Sequence, residues 1–354
     1  MPTLEVKLSH KSYNIYIKKG ILNDIGEKLK NIYSGEKIAV ITDDNVYRIY
    51  GDKLKGILEK SGFLVSFIVI EHGEKSKSLS TLENVYNELL DFKITRSDLI
   101  ITFGGGVVGD LGGFAASTFL RGTTFVQIPT SLLSQIDSSI GGKVAVDLPR
   151  GKNLVGSFYH PEAVFIDPNV LKTLEKRFFH DGMGEVIKYG CIKDKTLFHK
   201  LLNFKDEEEL FNDIDNIIYS CCSIKKDIVQ KDERDNNVRM LLNFGHTIAH
   251  AVEKIFNYET YTHGEAVAIG MYTITKRSEQ LGITKEGTSA LIKEILVKYN
   301  LPYSISNLNS EKVSEIVGLD KKNKGNILNL ILIECIGKSL IKPIDKNKDL
   351  HKFI

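Results

Sequence analysis

Three of the nine histidines in this 354-residue chain, His246, His250 and His263, fall in the segments LLNFGHTIAHAVE and YTHGEAVAIGM. His246 and His250 are four apart on a stretch with helical period, so both imidazoles leave one face, a spacing that lets two of them reach one metal ion. A carboxylate would complete such a site. GMGEVIKYG supplies Glu185 between apolar neighbours, with Lys188 one turn on. A buried glutamate is costly unless it is paired or metal-bound. Spacing alone does not choose which two histidines join Glu185, and Glu265 is a further acidic candidate.

A second chemistry is written in DLIITFGGGVVGDLGGFAAS, where an apolar run leads into Gly104, Gly105 and Gly106 and then a helix from near Val108. Backbone amides at such a turn can approach a pyrophosphate, and glycine would admit both positive φ angles and the close approach of a diphosphate oxygen. Tight packing alone would use glycine too. The pattern is GGGxxGD rather than the GxGxxG of an ordinary dinucleotide fingerprint, yet a nucleotide at the carboxyl edge of a sheet is still expected. Asp43 and Asn45 follow one apolar run, and Glu74 and Lys77 another, as ribose and phosphate partners.

Cationic side chains form a third theme. Arg121, Lys143, Lys152, Lys225, Arg239 and the pair Lys321 and Lys322 stand among Gly, Asn and Asp, an inventory suited to a substrate with carboxylate and phosphate groups. Any single lysine here would ordinarily be a solvated surface residue. Lys143 and Lys152, however, fall in QIDSSIGGKVAVDLPRGKNLVGSF, which reads as a long Gly- and Ser-rich loop following Asp137, and long loops in compact domains are usually functional.

The elements that must position these groups follow from periodicity. Apolar runs at 37–42, 63–70, 99–103, 123–128 and 163–167 alternate with helical patterns, the mark of a parallel sheet with crossover helices, one of them beginning after a Ser78 cap. Beyond about Phe178 helical period dominates, with one late strand expected over Ile327 to Ile333. The chain exceeds the roughly 250 to 300 residues at which one core divides, so two domains are expected, with the boundary near 168 to 182. They are an α/β nucleotide-binding domain over 1–177, with a Rossmann-like parallel sheet, and a mostly helical metal- and substrate-binding domain over 178–354. With 47 Lys+Arg against 45 Asp+Glu the net charge is only +2, which argues against a dedicated nucleic-acid or membrane-surface binder. Four cysteines without a CxxC pair argue against a disulfide framework or a thiolate zinc site and fit the cytoplasm. Neither a signal peptide nor a membrane span is expected, because MPTLEVKLSHKSYNIYIKKG has no apolar core behind its charges and the longest apolar region, Leu99 to Leu120, is broken by glycines and Asp110.

Taken together, GGGVVGDLGGFAAS, IPTSLLSQIDSSIGGKVAVD, GKNLVGSF, GMGEVIKYG, LLNFGHTIAHAVE and HGEAVAIGM closely resemble the 3-dehydroquinate synthase family of sugar phosphate cyclases, in order and interval, from about Asp43 to Lys338. The resemblance implies a dehydroquinate synthase-like fold with the active site in the cleft between the domains. It also selects the metal set, with Glu185, His246 and His263 holding Zn²⁺ or Co²⁺ and His250 left as an unligated acid/base. NAD would be held by Asp43, Asn45, Glu74, Lys77, Gly105, Gly106, Val107, Asp110, Thr130, Ser131, Leu133, Lys143, Lys152 and the turn from Val170 to Thr173. Substrate would be held by Asp137, Lys143, Lys152, Asn153, Lys188, Lys225, Arg239, Asn243, His246, His250 and Lys321 or Lys322, with Arg121 reaching across from a second subunit of a homodimer.

The implied reaction is that of a lyase, taking 3-deoxy-D-arabino-heptulosonate 7-phosphate to 3-dehydroquinate and phosphate in the shikimate route to chorismate and aromatic amino acids. Rival readings are a cyclase of the 2-deoxy-scyllo-inosose or valiolone type and a metal-dependent alcohol dehydrogenase. Three small departures from the family pattern stand at Ser131, Ala249 and His72. Serine keeps the hydroxyl of threonine, and alanine in place of a mid-helix glycine favours the helix by up to about 1 kcal/mol.

Overall fold

The computed structural model describes residues 3–306, 310–318 and 326–354; Lys321 and Lys322 lie outside the described residues. The chain divides into two units, one of Met1–Leu174 with Lys225–Gln230, the other of Glu175–Ile224 with Lys231–Ile354.

The first unit is built on a seven-stranded sheet in the order β1-β2-β9-β6-β5-β3-β4. Its strands are β1 (Thr3–Lys7), β2 (Ser12–Ile17), β3 (Lys37–Asp43), β4 (Leu64–Ile70), β5 (Leu99–Gly104), β6 (Thr124–Pro129) and β9 (Ala163–Ile166). The five apolar runs read from the sequence are β3, β4, β5, β6 and β9, and all their pairings are parallel. Within this sheet, among the described residues, only the β1–β2 pair is antiparallel. Both faces of the sheet are buried: Val40, Ile101, Phe103 and Val126 enter one core, while Ala39, Ile41, Ile100 and Phe125 enter the other. Sheets covered on both faces make strands of nearly continuous apolar residues, which is why β3, β5, β6 and β9 were legible; β4, at the sheet edge, is partly exposed. Ser78 caps the helix Leu79–Asp91 by accepting the Thr81 N–H at 3.2 Å.

One expectation is corrected here. The segment holding Lys143 and Lys152 is a hairpin, β7 (Lys143–Leu148) against β8 (Gly151–Phe158), rather than a loop. Val144 and Val146 point inward at period two, and the turn falls at Pro149 and Arg150, so the strand signal was present but masked by flanking Gly and Ser.

The second unit is mostly helical. Its longest helices are Lys176–Ile192, Ile214–Lys231 and His263–Gln280, the second running into the Lys225–Gln230 stretch that groups with the first unit. The expected late strand is β10 (Ile327–Cys335), and it has an unforeseen antiparallel partner, β11 (Lys338–Asp345). No described helix is long and apolar enough to cross a membrane.

Candidate functional site

In the first unit the expected nucleotide contacts gather because each follows the carboxyl end of a parallel strand. Asp43 ends β3, with Asn45 beyond it; Glu74 and Lys77 follow β4; Gly105, Gly106 and Val107 follow β5; Thr130, Ser131 and Leu133 follow β6; Val170 and Thr173 follow β9. That edge is where open α/β sheets take their ligands. The Asp43 side chain accepts the Val46 N–H at 2.9 Å, and burial raises its carboxyl above the usual value. Thr173 is tied to the Tyr50 hydroxyl at 2.7 Å. His72 lies against Asp44 at 3.0 Å, on the exposed rim near Asp43.

The glycine turn serves by space rather than by angle. None of Gly104, Gly105 and Gly106 has positive φ, so that part of the reading is overturned. A Cβ at Gly105 would meet nothing nearer than Ser131 Oγ at 3.7 Å, and one at Gly106 nothing nearer than Ser138 Oγ at 3.4 Å. A Cβ at Gly104, by contrast, would stand 2.6 Å from the Val108 side chain, so the turn is packed there and uncrowded at Gly105 and Gly106, where it opens the helix Gly106–Thr118.

Lys77 is buried, and its ammonium donates to Asp110 at 2.6 Å and to Asn153 at 2.5 Å. Lys152 reaches Glu74 at 3.4 Å. Asn153 adopts φ 54°, its N–H held by Asp147 at 2.6 Å. Lys225, also buried, ion-pairs with Asp137, donating to both its carboxylate and its carbonyl. Lys143 opens β7 with an exposed side chain, and Arg121 is exposed at φ 68°.

In the second unit Glu185, His246 and His263 converge, their donor atoms all within 4.8 Å of one another. Glu185 Oε1 stands 3.4 Å from His246 Nε2 and 3.5 Å from His263 Nε2. A tetrahedral ion with bonds of about 2.0 to 2.1 Å sets its ligand atoms about 3.4 Å apart, so one carboxylate oxygen and two imidazole nitrogens fit a zinc-type site. The Glu185 side chain is 1% exposed, and its other oxygen is paired with the equally buried Lys188. Both imidazoles present Nε2 because Nδ1 is occupied: at His246 by the Phe244 carbonyl at 3.1 Å, at His263 by Glu253 Oε1 at 3.3 Å. Burial pushes His246 down to about 3. Burial opposes protonation of His263 as well, but hydrogen bonds to Glu185 and Glu253 outweigh it and hold that imidazole well above the usual value.

Backbone contact makes this convergence possible. Each candidate ligand is next in sequence to a glycine: Gly184 before Glu185, Gly245 before His246, Gly264 after His263. A Cβ on Gly184 would stand 2.7 Å from the Gly264 carbonyl oxygen and 3.0 Å from its Cα, so the helices Lys176–Ile192 and His263–Gln280 touch main chain to main chain. Gly245, at φ 81°, has Val267 O and Met271 N at 2.8 and 2.9 Å from the corresponding position, which brings the start of the helix His246–Ile255 equally close.

The structure separates the alternatives that spacing left open. Glu265 is a structural residue: it accepts from the Thr262 N–H at 2.9 Å in a capping box and is gripped by Arg177 at 2.9 and 3.0 Å. His250 is exposed one turn beyond His246, with ring centroids 5.7 Å apart, and is outside the donor set. Arg239 is buried with Nη1 donating to the Glu233 carbonyl at 2.5 Å, and its backbone N–H is held by Asp232 at 3.0 Å. Asn243 ends the short helix Val238–Asn243 and is half-buried. Sequence reasoning missed Glu253 and Asp181. The first stands seven residues after His246 on the same helical face, a signal that was available. Asp181 accepts the Gly264 N–H at 2.5 Å from four residues before Glu185.

A doubly covered parallel sheet with its polar groups past the carboxyl ends, and a helical unit carrying a Glu-His-His donor set, make up the dehydroquinate synthase-like fold. A 2-epi-5-epi-valiolone synthase from Streptomyces hygroscopicus, solved with NAD+ and Zn2+ bound, superposes with a TM-score of 0.88 at 24% identity, covering 98% of this chain and 96% of that one. A 2-deoxy-scyllo-inosose synthase complexed with carbaglucose-6-phosphate, NAD+ and Co2+ gives 0.86 at 23% identity, covering all of both chains. Residues 67–181 match the family model of the 3-dehydroquinate synthase N-terminal part, and 182–323 that of the C-terminal part. A 3-dehydroquinate synthase from Clostridium acetobutylicum is 59% identical over 354 residues, covering 100% of this chain and 99% of that one. Another, from Enterococcus faecalis, is 43% identical over 96% of this chain. The chain belongs to the 3-dehydroquinate synthase family.

Proposed function

We propose that this protein is a 3-dehydroquinate synthase, a lyase that converts 3-deoxy-D-arabino-heptulosonate 7-phosphate to 3-dehydroquinate and phosphate in the route to chorismate. The observation that carries the reading is the convergence of Glu185, His246 and His263 in a chain 59% identical to a protein of that name. When bound, NAD accepts and returns a hydride and a divalent cation acidifies the substrate hydroxyl that is oxidised.

The side chains divide the remaining work. Lys188 fixes one oxygen of Glu185 while the other faces the two imidazoles, so the carboxylate is held before any ion arrives. Arg239 is anchored through the Glu233 carbonyl and Asp232, which sets its guanidinium for bidentate contact with an anionic group. Lys143, Lys152, Asn153, Lys188, Lys225, Asn243 and His246 complete the binding set, with Lys321 or Lys322 added to it. Asp137, held by Lys225, orients substrate hydroxyls. His250, exposed and outside the donor set, takes or gives a proton at the departing phosphate. The contacts past the strand ends, including the buried Lys77–Asp110 pair, hold NAD. The later aldol closure needs the chain held in one conformation more than it needs another catalyst.

We also place the protein in the cytoplasm, and as a homodimer in which Arg121 enters the partner's site. The test of the activity is phosphate release from the heptulosonate phosphate with and without NAD⁺ and Zn²⁺. Substoichiometric NAD⁺ should support many turnovers without net NADH absorbance, whereas an ordinary dehydrogenase would accumulate NADH in proportion to product. Mixed Arg121→Ala and Lys188→Ala subunits, once exchanged, should regain activity that neither has alone; exchange without recovery would remove the shared site.

A further inference from the structure

The acceptors behind the two imidazoles differ in kind. His246 Nδ1 meets a neutral peptide carbonyl, that of Phe244, two residues before it. His263 Nδ1 meets a carboxylate, Glu253 Oε1, from another helix. Exposure differs in the same sense: the His246 side chain is 13% exposed, that of His263 is 33% exposed, and that of Glu253 only 7%.

We propose that Glu253 is a positioning residue for a divalent cation at this centre, holding His263 in the rotamer and tautomer that aim Nε2 at Glu185. This rests on the reading of Glu185, His246 and His263 as metal ligands. A carboxylate buried this deeply is costly unless its charge is used, and hydrogen bonds from an imidazole Nδ1–H to a carboxylate fix the ring and strengthen Nε2 as a donor. The Phe244 carbonyl can orient His246 but adds no charge. Glu253 therefore does for the more exposed ligand what local backbone and burial do for the other.

The test measures Co²⁺ affinity of the full-length protein by competition with a chromophoric chelator, together with the visible absorption of bound Co²⁺. Glu253→Ala is expected to weaken Co²⁺ binding by about 10- to 100-fold and to change the absorption band, because His263 loses both its orientation and its charged partner. Glu253→Gln keeps an acceptor of the same shape and is expected to fall between Ala and wild type. The exposed Glu259→Gln serves as control and should match wild type. A merely structural Glu253 would lower Tm while leaving affinity and spectrum unchanged in the folded variants, and that result overturns the proposal. If Glu253→Ala does not fold, the near-isosteric Glu253→Gln decides the matter by the same two readouts. A wild type that takes up no stoichiometric Co²⁺ removes the metal reading and this proposal together; a wild type that binds one equivalent beside variants of equal affinity removes this proposal alone.

Discussion

Gly184→Ala should weaken metal binding without touching any ligand. The added Cβ would lie 3.0 Å from Gly264 Cα and 2.7 Å from its carbonyl oxygen. Carbon atoms pack at about 3.5 to 4.0 Å, so the two helices must part by roughly 0.5 to 1 Å. Glu185 and His263 sit beside these two glycines and separate with them. Their facing atoms, 3.5 Å apart, would then stand beyond the about 3.4 Å that a tetrahedral ion spans. Binding must pull the helices back against the overlap, an overpacking cost of about 1 to 3 kcal/mol. At 1.4 kcal/mol per tenfold, affinity falls about 5- to 150-fold. Chelator competition with Zn²⁺ or Co²⁺ measures that loss directly. Thermal melts with and without metal give a second reading, since the stabilisation conferred by a ligand shrinks as its Kd rises. A Gly184→Ala protein that binds metal as tightly as wild type would refute the claim that main-chain contact sets the ligand spacing.

The same substitution elsewhere should have the opposite sign. At Gly56, inside the helix Asp52–Lys60, a Cβ meets nothing within 4 Å, so Gly56→Ala should stabilise the protein by roughly 0.5 to 1 kcal/mol in urea unfolding. His250→Ala should leave metal content by elemental analysis at the wild-type level while lowering kcat; loss of metal would place His250 among the ligands after all. Lys77→Met leaves the Asp110 carboxylate without its 2.6 Å ammonium and should cost about 3 kcal/mol of stability, part of it recovered in the double variant with Asp110→Asn. Burial and, second, the nearby Asp98 carboxylate push Tyr33 up to about 12. The fold thus favours its neutral phenol, a stability fully present below the unfolded value near 10 and lost as pH rises from about 10 to 12. Urea midpoints across that window should fall, and Tyr33→Phe should flatten the fall.

What the sequence disclosed and what it hid follow from how each feature is encoded. β3, β5 and β6 were legible because burial on both faces writes a continuous apolar run, and its shortness and β-branched content mark it as strand rather than buried helix. The hairpin of β7 and β8 was missed although Val144 and Val146 alternate correctly, because the β8 residues are largely exposed and carry little pattern. The candidate metal centre was half-legible. A pair of histidines at four-residue spacing suggests two ligands on one helix, yet the structure draws its three donors from three helices, two of them from the first residue of a helix. Such a set is long-range: His246 and His263 meet because Gly245 and Gly270, and Gly184 and Gly264, let three backbones approach, and nothing in a short window distinguishes those glycines from turn formers. Glu253 is the instructive residue. In sequence its place seven residues after His246 sets it on the same helical face, but the imidazole it serves is placed 3.3 Å away by a separate helix, so the charge partner is visible only once the packing is known. The ligand set is thus fixed twice, by steric contact at the glycines and by hydrogen bonding behind each imidazole, and the two can be broken separately. Gly184→Ala should alter ligand spacing while leaving the Nδ1 contacts in place, and Glu253→Ala should do the reverse, so the double variant should lose affinity close to additively if the two devices act independently.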